Sequence, residues 1–191
     1  MTRPAFLAAT CLAYAAAQPA SAAPRPADVF FERLRALCGQ SFDGRLASPP
    51  TPADAAFEGP ITVSVRDCTA GQVRMPVAVG ADRSRTWVVT RTADGLSLKH
   101  DHRHADGTED VVSQYGGATA EPGTASRQDF PVDAFSKALF ERENLSASLT
   151  NVWALEIEPG VNLAYELNRP GRRFRIAFDL RRPGARDGAL P

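Results

Sequence analysis

Lysine is almost missing from this chain: Lys99 and Lys137 are the only two, and the other basic residues are arginines. Basic and acidic residues balance at 22 each. No net positive field therefore exists to attract nucleic acid or an anionic membrane surface. No apolar run reaches the roughly 20 residues needed to cross a bilayer as a helix. Phosphate-binding and dinucleotide-binding glycine loops are absent, and so are the H-E-x-x-H zinc motif and the G-x-S-x-G nucleophile elbow. These absences point away from nucleotide chemistry and hydrolysis, and toward binding rather than catalysis.

What is present begins with an export pattern. Arg3 precedes an apolar run, Ala5 to Ala17, and Ala20-Ser21-Ala22 supplies small residues of the kind a signal peptidase cuts after. The reading is a signal peptide over residues 1–22 and a single domain over 23–191, exported to the periplasm or the medium. Loss of Arg3 takes the neutral chain to a net charge of about −1. Loss of Cys11 leaves two cysteines, Cys38 and Cys68. In an oxidising compartment that even pair predicts one disulfide, closing a loop worth roughly 3–4 kcal/mol.

After the leader, Phe30, Leu34, Leu37 and Cys38 recur at helical spacing, with Asp28 as cap and Gly39 as terminator. From residue 60 the period becomes two. Ile61, Val63 and Val65 alternate with polar residues, as do Val73, Met75 and Val77. Trp87 to Arg91 and Leu96 to His104 continue the series. Asp106-Gly107 is a hairpin turn leading into Thr108 to Tyr115, and a further strand is expected near Thr124 to Phe130. Pro131 to Asn144 reads as a helix with Phe135, Ala138 and Leu139 on its apolar side. Three strands follow, carrying Trp153, Tyr165 and Phe174. The expected fold is all-β and mainly antiparallel: a lipocalin-like meander barrel of about eight to ten strands, with an N-terminal helix and one late helix. A two-sheet sandwich is the alternative.

The helix running into Gly39-Gln40-Ser41-Phe42-Asp43-Gly44 resembles the opening of lipocalin-like (calycin) barrels, in which a Gly and an aromatic start the first strand. The blocks Asp82 to Trp87, His100 to Asp110 and Asn151-Val152-Trp153 resemble an uncharacterised family of exported bacterial proteins. That resemblance implies export and carries no activity with it.

One constellation carries chemistry. All three histidines fall within His100-Asp101-His102-Arg103-His104. On a strand these three share a face with Leu96 and Leu98, while Lys99, Asp101 and Arg103 point away. A two-residue Asp106-Gly107 turn would set His104 opposite Glu109, Arg103 opposite Asp110, His100 opposite Ser113 and Leu98 opposite Tyr115. The cluster of His100, His102, His104 and Glu109 then reads in three ways. It is a site for Zn²⁺, Cu²⁺ or Ni²⁺, the polar mouth of a ligand pocket, or a solvated hairpin tip. As a ligand site the set comprises His100, His102, His104, Tyr115, Arg85 and Arg91. Since His100 and His104 lie about 13 Å apart along a strand, a metal would take two of the three and one ligand from elsewhere. Glu156, Glu166, Arg173 and Arg175 read as outward cross-strand pairs. The expected function is non-enzymatic binding of a small ligand in the barrel. Metal binding, or an envelope protein-protein interaction module, stands beside it.

Overall fold

Alternation at period two runs through the described residues and closes on itself. The computed structural model describes residues 23–183; residues 1–22, expected to be a signal peptide, and with them Cys11, lie outside the described residues. Ten antiparallel strands form one sheet: β1 (Gln40–Leu46), β2 (Ile61–Val65), β3 (Gln72–Val79), β4 (Asp82–Arg91), β5 (Leu96–His102), β6 (Tyr115–Ala118), β7 (Arg127–Pro131), β8 (Val152–Glu158), β9 (Asn162–Arg169) and β10 (Arg172–Pro183). Their order is β6-β5-β4-β3-β2-β1-β10-β9-β8-β7. Two meanders are therefore joined where the first strand pairs with the last. One continuous sheet excludes the sandwich, and the result is a nearly closed barrel.

The seam lies between β6 and β7 and is narrow, with a single bridge from Gly117 to Val132. Gly117 is required there, because a Cβ would collide with the Pro131 carbonyl oxygen. The hydroxyl of Ser136 spans the seam, accepting from the Gly116 amide at 2.7 Å and donating to the Gly116 carbonyl at 3.0 Å. Ser136 belongs to α2 (Ala134–Arg142), whose cap is Asp133. The helix thus starts later than Pro131, which is the last residue of β7, and it buries Ser136, Leu139 and Phe140. Phe135, expected on the apolar side, is 57 % exposed. The capping carboxylate of Asp133, with its partner Lys99, fixes the helix entry two residues beyond the proline.

Inward residues fill most of the barrel. Val63, Val73, Met75, Val89, Leu98, Leu155, Ile176 and Phe178 are all buried. One end is stoppered by α1 (Pro26–Arg35). Pro26 suits its first turn, Asp28 complements its N-terminus, and Arg33 and Arg35 complement its C-terminus. Phe30, Phe31 and Leu34 are fully buried in the common core. Arg25 reaches the Ala93 carbonyl and Arg33 the Ala125 carbonyl, both at 2.8 Å. The helix is thereby tied to loops on opposite sides of that end. Gly39, at φ +81°, reverses the chain into β1. Cys38 and Cys68 are bonded, which fastens the helix end to the β2–β3 turn.

No helix among the described residues is long and apolar enough to cross a membrane.

Candidate functional site

The other end of the barrel is framed but not filled. A short 3-10 helix (Pro52–Phe57), the β5–β6 loop, α2, a second 3-10 helix (Ser146–Thr150) and the Pro170-Gly171 turn surround it. Between them is a cavity of about 190 Å³. Six aromatic rings line it: Phe57, Tyr115, Phe140, Trp153, Tyr165 and Phe174. Ser148, Asn151, Arg169 and Arg172 add polar groups. The aromatics arrive by alternation, Phe174 on β10 and Tyr165 on β9 being inward positions of their strands.

The histidines divide. His100 is inward on β5, 2 % exposed, and stacked on Tyr115 with ring centroids 4.5 Å apart. Its Nδ1 lies 3.1 Å from the Tyr115 carbonyl and its Nε2 2.8 Å from the Tyr165 hydroxyl. A carbonyl can only accept, so Nδ1 carries the hydrogen and the Tyr165 hydroxyl donates to Nε2. Burial, and then the neighbouring His102, push the imidazole down to about 3. It is neutral, with both nitrogens engaged. Tyr165 stacks in turn on Trp87 at 4.1 Å, and burial raises its hydroxyl well above the usual phenol range.

His102 is inward but half-buried, with Nε2 3.4 Å from the Tyr115 hydroxyl. Burial, and then Arg85 opposite it, lower its pKa. His104 is exposed at the hairpin tip. Glu109 lies on the outer side, accepting from the Gln114 side chain at 2.6 Å. The cross-strand register expected from a two-residue turn is thus corrected. Arg103 faces Glu109, and His100 faces Tyr115 rather than Ser113. Residues 110–114 loop out instead of pairing as a strand. Asp110 takes the Val112 amide, Ser113 takes the His102 amide, and Gln114 sits at φ +57°. His100, His102, His104 and Glu109 are therefore not gathered. Among the described residues no three His, Cys, Asp or Glu side chains are placed to hold a metal ion.

The two arginines of β4 part company as well. Arg85 stands at the mouth, paired with Asp82 at 2.5 Å and lying over the Phe57 ring. Arg91 is at the stoppered end, paired with Asp28 at 2.7 Å and with Glu32, over the face of Phe31 at 4.4 Å. On the outer wall Glu166 is clamped by Arg127 and Arg175. These two arginines overcome the effect of burial and hold its carboxyl down to about 2.

Arg169 and Arg172 are the mouth residues that sequence reasoning missed. They face each other directly across the Pro170-Gly171 turn. Arg172 donates to Asp54 at 2.6 Å and to Thr51 at 3.2 Å. Among the described residues Arg169 has only neutral partners, Ser148 Oγ and Asn151 Oδ1, both at 3.3 Å and both served by Nη1. Burial, and then Arg172, lower its pKa. The usable signal was parity: Arg169 continues the inward series Tyr165 and Leu167, and Arg172 precedes Phe174.

Comparison with known proteins returns no matching family model, no matching curated protein and no matching solved structure.

Proposed function

We propose that this chain is an exported, non-catalytic β-barrel that binds a small ligand in the cavity at its mouth. The observation that carries the reading is the cavity of about 190 Å³ itself, aromatic-walled and left at the one barrel end that α1 does not stopper. Concave, mostly apolar sites with a few converging polar groups are where small molecules bind. The packed barrel below forms a rigid floor, so Trp153, Tyr165 and Phe174 are already in place before a ligand arrives. Export is supported by the leader pattern around Arg3 and Ala20-Ser21-Ala22, by the resemblance to exported bacterial proteins, and by the Cys38–Cys68 disulfide. Such bonds persist where thiols are oxidised.

The experiment is native mass spectrometry of protein purified from its own cells or medium, together with an amide NMR screen of one-ring compounds. The expected result is extra mass lost on unfolding, and shifts confined to residues around Trp153 and Tyr165. Bare polypeptide alone, with no shifts at the mouth, overturns the reading.

A further inference from the structure

Two guanidiniums and no carboxylate line the mouth cavity. Asp54, just outside the lining of this cavity and 4 % exposed, neutralises Arg172. Nothing anionic among the described residues neutralises Arg169. Like charges placed directly opposite each other on neighbouring strands destabilise a sheet. A half-buried arginine loses much of its hydration as well. The Nε and Nη2 of Arg169 make no hydrogen bond to the described residues, since both of its bonds come from Nη1. An Nε–Nη2 edge is a planar fork that fits the two oxygens of one carboxylate. The volume bounds the rest of the ligand. An apolar cavity of about 150 Å³ accepts a single benzene ring, so 190 Å³ lined by six aromatic side chains suits one ring with a short substituent.

Resting on the small-ligand reading above, we infer that the ligand is a monocyclic aromatic carboxylate, its ring among Phe57, Trp153 and Phe174 and its carboxylate on Arg169. Ser148 and Asn151 position the guanidinium through Nη1, and Asp54 keeps Arg172 from competing for the same anion.

Isothermal titration with benzoate, uncharged benzamide, acetate and phenyl phosphate tests this on the full exported chain. Benzoate is expected to bind about 10- to 100-fold more tightly than benzamide, the span of a charge-assisted bidentate pair. Acetate should be at least tenfold weaker than benzoate for want of the ring. Arg169→Gln should bring benzoate down to the benzamide level, with a cooperative thermal transition like that of wild type showing that the variant is folded. Asp54→Asn, by freeing Arg172, should tighten benzoate. Benzamide binding as well as benzoate, or benzoate affinity surviving Arg169→Gln, overturns the carboxylate inference and leaves the small-ligand reading standing. Acetate matching benzoate overturns the ring requirement, and phenyl phosphate binding more tightly than benzoate overturns the choice of carboxylate. Failure of all four probes to bind overturns the inference, while the mass-spectrometric search for a ligand judges the broader reading separately.

Discussion

The two ends of the barrel receive the same kind of residue and treat it differently. Arg91 at one end and Arg169 at the other both continue the inward face of a strand beyond the packed interior. At the first end α1 brings Phe31 under the guanidinium and Asp28 and Glu32 beside it. Both terminal nitrogens of the arginine are paired and its face is covered within the chain, only the buried Nε lacking a hydrogen-bond partner among the described residues. At the second end the 3-10 helix brings a single carboxylate, Asp54, which goes to Arg172. Arg169 is left with a hydroxyl and an amide oxygen. A helix that carries its own anions makes a stopper, whereas a loop carrying one too few leaves a guanidinium without a carboxylate among the described residues.

Truncating the stopper should have the largest effect. Phe31 is fully buried and lies under Arg91. Phe31→Ala should cost about 3–5 kcal/mol in a denaturant titration, from lost burial together with the cavity left behind. The counterpart at the mouth is Phe57, half-buried and 4.7 Å from the ring of Phe174. Phe57→Ala should cost about 1–2 kcal/mol, because its site is already partly open. Equal costs would mean that the mouth is as tightly packed as the stoppered end.

The same contrast separates what was legible in the sequence from what was not. The barrel wall could be read because burial on one face imposes alternation, as in β3, where Val73, Met75, Val77 and Val79 are all buried. The Cys38–Cys68 bond could be read because pairing two cysteines leaves no choice once Cys11 is set aside. The mouth could not. Asp106-Gly107 does turn the chain, but the side chains of Asp110 and Ser113 capture backbone amides and loop out three residues' worth of register before Tyr115 pairs. Neither that capture nor the preference of Asp133 over Pro131 as helix start leaves a periodic trace. Arg169 and Arg172 looked like the flanks of a turn, since what sets the two apart is Asp54, more than a hundred residues away, which pairs with Arg172 alone.

A pH titration probes the boundary between the packed barrel and its mouth. His100 is buried beneath the cavity at about 3, against an ordinary 6.5. Its surroundings, Tyr115, Trp153, Tyr165 and the neighbouring His102, supply no carboxylate. The unfolded chain takes up the proton first, so the stability due to neutral His100 is complete above pH 6.5 and is lost as pH falls toward 3. Between pH 6.5 and 4.5 the loss should approach about 1.4 kcal/mol per unit. His102, also lowered, adds to the same slope. Glu166 enters only below its ordinary 4.5, being held at about 2, and its contribution is lost in the same direction. His100→Gln should be less stable at pH 7 and distinctly flatter from 6.5 to 4.5. A variant with the wild-type slope would show that His100 is not the group being protonated.

The smallest effect is the one that compares the two arginines directly. Arg91→Gln removes a guanidinium from two carboxylates, each of which keeps another partner: Arg25 for Asp28 and Arg35 for Glu32. The cost in ligand-free protein should be about 1–2 kcal/mol, most of it from the contact with Phe31 and the desolvated pairing. Arg169→Gln should change stability by no more than about 0.5 kcal/mol, and in the stabilising direction if the cross-strand repulsion with Arg172 outweighs two long hydrogen bonds. With benzoate in large excess the order reverses. Wild type and Arg91→Gln should both gain about 2.7 kcal/mol at a hundred times Kd, and Arg169→Gln far less. A destabilisation by Arg169→Gln as large as that by Arg91→Gln, in ligand-free protein, would make both arginines structural and the two ends alike.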